Sequence, residues 1–180
     1  MYIILEKIFN LLDKYHQRRI IKFLKDLNFD YAIDVGAHKG AFISGILVLK
    51  KVKKIYAFEP QENIFKVLKN KYADNDNVKI YNLALDKEIT KKDIFINKLS
   101  STSTLSKFNP DSIFLKIKNL ITFSKENYID RYKIQTNTID NQFKDIKLEN
   151  TLLKIDVEGL ELDVLMGAEY KISNEIKYIL

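Results

Sequence analysis

An α/β fold built on a mostly parallel sheet is the architecture this sequence predicts, and three observations predict it. Short runs rich in β-branched and aromatic residues recur along the 180 residues, amphipathic helical patterns fall between several of them, and turns bearing glycines or acids follow the ends of the runs. Strands that alternate with helices imply a sheet covered on both faces. Sheets of this kind bind ligands at the carboxyl ends of their strands. The length, with 46% hydrophobic residues, suffices for one compact domain and hardly for two.

The elements follow in order. Apolar side chains at Ile4, Ile8, Leu11, Leu12 and Tyr15, then at Ile20, Phe23, Leu24 and Leu27, have the spacing of one or two amphipathic helices that pack on the core. Residues 1–30 are therefore read as an N-terminal helical segment and 31–180 as the main domain, the two forming one globular unit. A second reading of the first dozen residues lays their dense stripe on a membrane surface or a partner, since Arg18 and Arg19 follow. The runs "YAIDVG", "KIYAFEP", "VKIYNLAL", "DIFIN", "YKIQTNT", "LLKIDVEG" and "IKYIL" read as strands. Helical patterns appear in "AFISGILVLKK", "QENIFKVLKNKYA" and "LELDVLMGAEYKIS", where Leu160, Val164, Leu165 and Ala168 share a face. "TNTIDNQF" reads as a strand end followed by a helix capped by Thr138.

Composition excludes several classes of function. The chain has no cysteine and two histidines, which removes a disulfide framework, a thiol nucleophile and any thiolate metal site. "MYIILEKIFNLLDKYHQRR" lacks the uncharged core and cleavage site of a signal peptide, and no apolar run approaches the roughly 20 residues of a membrane span. A soluble, cytoplasmic protein without stable membrane insertion is expected. The net charge of +6 is carried by lysines in patches such as "LKKVKKI" and "LKIKNL". Lysine, asparagine and isoleucine are abundant throughout, and no aromatic-studded stripe accompanies the charge, so no nucleic-acid partner is expected.

The turn "IDVGAHKG" carries the chemistry. Gly36 and Gly40 follow one strand and precede a helix, the first permitting a tight turn and the second close packing of helix on strand. Roughly twenty residues on, "YAFEP" ends the next strand with Glu59, whose carboxylate can accept two ribose hydroxyls, while Pro60 stops the strand. A glycine turn and an acid in this order read as a nucleoside site. A dinucleotide fingerprint would need a middle glycine against the pyrophosphate, and here Ala37 and His38 stand in its place. No phosphate-cradling loop of the G-x-x-x-x-G-K-[ST] type is present either. S-adenosylmethionine fits better, because it has ribose and adenine without phosphate. Its sulfonium and ammonium suit Asp34 near the turn and Asp156 in "KIDVEG".

"IDVGAHKG", "YAFEP", "NVKIYNLAL", "SSTSTL", "TNTID" and "LLKIDVEGLELDVLMGAE" stand in an order that resembles the FkbM-family S-adenosylmethionine-dependent methyltransferases, over roughly residues 31 to 180. The last block is the most specific. The resemblance implies a class I methyltransferase fold, a Rossmann-like three-layer sandwich. It places Asp34, Gly36 and Gly40 around the methionine portion of the cofactor and Glu59 on the ribose, with Ala37, His38 and Pro60 also among the cofactor-binding residues. Leu83 and Ala84 then lie against adenine, and Asp156 joins the cofactor pocket. It also implies O-methylation of a hydroxyl on a sugar, surface glycan or secondary metabolite, so that the partner is a small-molecule or glycan acceptor.

Methyl transfer to oxygen needs placement and a base, since an alcohol is a poor nucleophile until its proton is leaving. Asp156, Glu158 and His38 are the candidates, in that order. Glu158 is alternatively a cap for the helix starting near Gly159, and His38 an adaptable turn residue where Asn would also serve. "LSSTSTLSKF", residues 99–108, is a hydroxyl-rich loop that the resemblance places toward the acceptor. No metal is expected, because the fifth strand, "IKYIL", has no carboxylate beyond it. Rival readings are a nucleotide-dependent oxidoreductase, which lacks its glycine, and a catalytically silent binding or assembly module. A class I sheet normally has seven strands, and the sequence ends on the fifth. An open edge at "IKYIL" is therefore expected to be shielded by the N-terminal segment, by a second copy of the chain in a homo-oligomer, or by both. The short form is expected to bind cofactor with a weakened or incomplete acceptor site.

Overall fold

The structure is a computed structural model that describes residues 18–97, 128–157 and 159–180. The first 17 residues, the hydroxyl-rich loop 99–108 and Glu158 lie outside the described residues. Helical residues 18–24 form α1, followed by β1 (Tyr31–Val35), α2 (Ala41–Val48), β2 (Lys54–Phe58), α3 (Glu62–Lys71), β3 (Val78–Tyr81) and β4 (Ala84–Leu85). Then come β5 (Lys91–Asn97), β6 (Tyr128–Asn137), α4 (Ile139–Gln142), β7 (Thr151–Ile155), α5 (Glu161–Met166), α6 (Glu169–Asn174) and β8 (Ile176–Ile179).

Five strands make the main sheet in the order β3-β2-β1-β7-β8, and every neighbouring pair is parallel. Side chains alternate across it with the two-residue period of a strand. Ala32, Ile55, Ala57 and Leu152 face one apolar cluster with Phe42, Ile43 and Ile46 of α2 and Leu68 of α3. Ile33, Val35, Tyr56, Phe58 and Leu153 face the other, with Phe143, Leu148 and Val164. Because both faces are covered, β1, β2 and β7 read as nearly continuous apolar runs, as a buried parallel sheet requires. At the far end from the strand termini, Lys51 Nζ donates to the carbonyls of Leu24, Lys25 and Leu27, satisfying backbone acceptors where α1 ends.

Two runs expected to be continuous are divided. "VKIYNLAL" supplies β3 to the main sheet and β4 to a smaller one, ordered β4-β6-β5. The break falls at Asn82, whose amide donates to the carbonyls of Glu59 and Pro60 at 3.0 Å each, bending the chain over the end of β2. "LELDVLMGAEYKIS" divides at Gly167, where an added Cβ would come within 2.1 Å of the Asp86 carbonyl oxygen. The second half is then capped from outside, by Asp140 carboxylate oxygens accepting from the N–H groups of Tyr170 and Lys171 at 2.9 Å. Thr138 caps α4 as expected, accepting from the Asn141 N–H. β8 pairs only with β7 among the described residues, and no helix among them is long and apolar enough to cross a membrane.

Candidate functional site

The turn after β1 is built from left-handed backbone. Gly36 has φ 78°, His38 φ 46° and Gly40 φ 74°, and the N–H groups of Gly36 and Ala37 both donate to the Phe58 carbonyl at the end of β2. A Cβ on Gly36 would stand 2.0 Å from the Asp156 carbonyl oxygen, so glycine is needed there for φ and for space. Gly40 differs from expectation in what it packs against. Its missing side chain makes room for α3 and the residue after it, with Leu68 Cδ1 at 2.6 Å and Tyr72 Cε2 at 2.9 Å from where a Cβ would be, rather than for a strand. The Tyr72 hydroxyl donates to the Gly40 carbonyl at 2.9 Å and lies 2.7 Å from Ser44 Oγ, which fixes the entry to α2.

Asp34 sits opposite Lys154 in the β1–β7 register. The carboxylate is fully buried; Oδ1 faces Lys154 Nζ at 3.0 Å in an ion pair, and Oδ2 has no hydrogen-bond partner among the described residues. Lys154 Nζ also donates to the Gly36 carbonyl at 3.1 Å and lies 3.5 Å from Asp156 Oδ2. Burial pushes the Asp34 carboxyl above its ordinary range against the opposing pull of Lys154. For Lys154 burial works downward, but the carboxylates of Asp34 and Asp156 outweigh it and hold the ammonium charged. The Asp156 side chain is 64% exposed while its N–H is tied to the Val35 carbonyl, so a fixed backbone presents an accessible carboxylate. Lys154 went unnoticed in the sequence. The signal was a lysine inside the apolar run "LLKID", where a cation is rarely buried without a partner.

Glu59 lies just past β2 and is buried. Its Oε2 accepts from the His38 N–H at 2.9 Å and its Oε1 from the Gln61 N–H at 2.8 Å, so it joins the turn after β1 to the turn after β2. Each oxygen keeps further acceptor capacity. Burial raises its pKa to about 7 against these two backbone donors. Pro60 is half-buried beside it, Leu83 is half-buried and Ala84 buried, and Asn82 links the two pairs through its bonds to the Glu59 and Pro60 carbonyls.

The helix after β7 begins at Glu161, later than the sequence suggested. Its side chain reaches back, Oε1 accepting from the N–H groups of Val157 at 3.3 Å and Gly159 at 3.1 Å. Burial works against this charge, but those donors outweigh it and hold the carboxyl below its ordinary range. Glu161, a residue the sequence reading missed, thus ties down the loop that leads into α5. Asp34, Gly36, Lys154 and Asp156 form one contact set across β1 and β7, and His38 and Glu59 form a second beside it. Leu83 and Ala84 complete the row at the β3 side.

The methyltransferase FkbM of Methylobacillus flagellatus KT is similar in structure at a TM-score of 0.51 and 20% identity, over 81% of this chain and 30% of that one. The chain thus spans less than a third of that protein's length. A candidate RNA methyltransferase, PH1948, of Pyrococcus horikoshii aligns at a TM-score of 0.34 and 15% identity over 39% of this chain and 42% of that one. No match is found among curated proteins. The family model of the methyltransferase FkbM domain matches residues 34–180, which begins at Asp34 and takes in every strand end described above: the chain belongs to the FkbM methyltransferase domain family.

Proposed function

We propose that this domain binds S-adenosylmethionine at the carboxyl ends of β1, β2 and β7 and methylates a hydroxyl oxygen of a sugar, glycan or secondary-metabolite acceptor. The observation that carries the reading is Asp34, a fully buried carboxylate with an unpartnered oxygen beside a left-handed glycine turn. A buried acceptor of this kind is costly unless a ligand completes it. The residues present fit the cofactor, because a cationic donor suits Asp34 and Asp156, and Glu59 retains acceptor capacity for ribose hydroxyls. The side chains at Ala37 and His38 leave no glycine cradle for a pyrophosphate.

When bound, the cofactor supplies a methyl carbon activated by its sulfonium, the C–S bond breaking as a C–O bond forms. The protein's share is placement and proton transfer. Asp34 and Gly36 hold the donor end and Glu59 the ribose end. Leu83 and Ala84 offer apolar surface to the adenine. Asp156 is exposed at the end of β7 and takes the proton of the acceptor hydroxyl as its oxygen is methylated. His38, whose backbone N–H is committed to Glu59, serves the turn.

A methyl-transfer assay with methyl-labelled S-adenosylmethionine and a panel of sugars, polyols and phenols tests this. Label should pass to oxygen, and Asp156→Asn should reduce turnover by about a hundredfold with little change in melting temperature. Binding of the donor with no transfer to any acceptor would favour the silent-module reading.

A further inference from the structure

The buried ammonium of Lys154 has no part in the chemistry just described, yet it contacts three groups of the site at once. It is 3.0 Å from Asp34 Oδ1, 3.1 Å from the Gly36 carbonyl oxygen and 3.5 Å from Asp156 Oδ2, and its side chain is 9% exposed. These groups belong to two separate segments, the end of β1 with the turn after it and the end of β7, which are otherwise joined here by the strand ladder and the Asp156 N–H. Burying a lysine between two strands is unfavourable unless its charge is matched and its donors are used. All three partners lie toward the ligand-binding end of the sheet. A lysine needed only for the core could have been apolar, like Leu152 and Leu153 beside it.

Charge counting gives the arrangement a purpose. Asp34 and Asp156 are two carboxylates on either side of one ammonium, a set that carries one net negative charge when all three are ionised. A donor with a sulfonium, an ammonium and a carboxylate carries one net positive charge. Removing Lys154 would leave Asp34 buried with no opposing cation, and it would then take up a proton and lose its attraction for the donor.

We propose that Lys154 is a positioning residue of the donor site, holding Asp34 ionised and locking the Gly36 carbonyl and Asp156 to it, so that two turns present one preset surface to the cofactor. This rests on the reading that S-adenosylmethionine binds here, and it goes beyond that reading by assigning the site's charge balance to a residue that acts through Asp34, Gly36 and Asp156.

The test is calorimetric titration of the 180-residue chain with S-adenosylmethionine at several pH values from about 6 to 9, for the wild type, Lys154→Met and Lys154→Arg. Lys154→Met should bind at least about tenfold more weakly near neutrality, and the gap to wild type should narrow as pH rises and Asp34 ionises unaided. Lys154→Arg, which keeps the charge, should restore most of the affinity. If Lys154→Met does not fold, the charge-balanced double variant Asp34→Asn with Lys154→Met replaces it, and it should bind at least about tenfold more weakly with no such narrowing. Wild-type affinity in either variant, or for Lys154→Met a loss equal at every pH, would overturn the positioning role alone. A wild-type chain that binds no S-adenosylmethionine would overturn the donor-site reading, and this proposal with it.

Discussion

Glu59 sets the pH dependence expected of the fold. Its carboxyl has a folded-state pKa of about 7 against an ordinary 4.5, the cause being burial. Between those values the folded protein holds a proton that the unfolded chain releases. Stability is therefore full below about pH 4.5 and falls as pH rises through about 7, by about 3 kcal/mol for this group alone. Urea denaturation at about pH 5 and pH 8 should show that decline, and Glu59→Gln should remove most of it; equal slopes in the two proteins would contradict the assignment. Gly36 is constrained by its backbone rather than by charge. Gly36→Ala meets both a positive φ and the Asp156 carbonyl oxygen at 2.0 Å, and it should lose at least about 2 kcal/mol by denaturant titration. The strain of this turn was visible in its glycines. The charge state of Glu59 was not, because burial depends on how β1, β2 and β3 converge.

At the scale of elements, the loop between β7 and α5 is held by Glu161 through the N–H groups of Val157 and Gly159. Glu161→Ala should cost about 1 kcal/mol of stability, in keeping with hydrogen bonds of a half-buried group. Turnover should fall by a larger factor, since the loop begins at Asp156; activity that falls only in step with melting temperature would make Glu161 structural. Tyr72 offers a parallel case on the other face. Its hydroxyl bonds the Gly40 carbonyl, and Tyr72→Phe should cost about 1 kcal/mol in the same denaturation assay. Strand and helix periodicity located nearly every element. It missed the divisions at Asn82 and Gly167 because both depend on partners distant in sequence, the carbonyls after β2 in one case and the Asp86 backbone in the other. Lys154 escaped for a similar reason, since its partner Asp34 is revealed only by the β1–β7 register.

Taken whole, the molecule gathers the candidate site residues at one end of a five-stranded parallel sheet, and that sheet was legible because alternating strands and helices dictate it. The sheet also has an unpaired edge among the described residues at β8, where Ile179 is 51% exposed. An edge of this kind is a template for strand pairing, so the 180-residue chain should associate as its concentration rises. Light scattering across a concentration series checks this, and a monomer throughout would mean the edge is protected. The acceptor was not legible, because nothing in the described turns selects one hydroxyl compound over another. The donor is another matter, because every role proposed for these turns depends on its binding. Calorimetric titration of the chain with S-adenosylmethionine at about pH 8, where the Glu59 carboxyl is ionised, alongside NAD and a Glu59→Ala variant, decides whether it binds. Saturable binding of S-adenosylmethionine, none of NAD, and a loss of roughly 1.5 to 3 kcal/mol in the variant are expected, as hydrogen bonds to a charged acceptor disappear. Binding of NAD in place of S-adenosylmethionine, or an affinity unchanged by Glu59→Ala, would contradict that expectation.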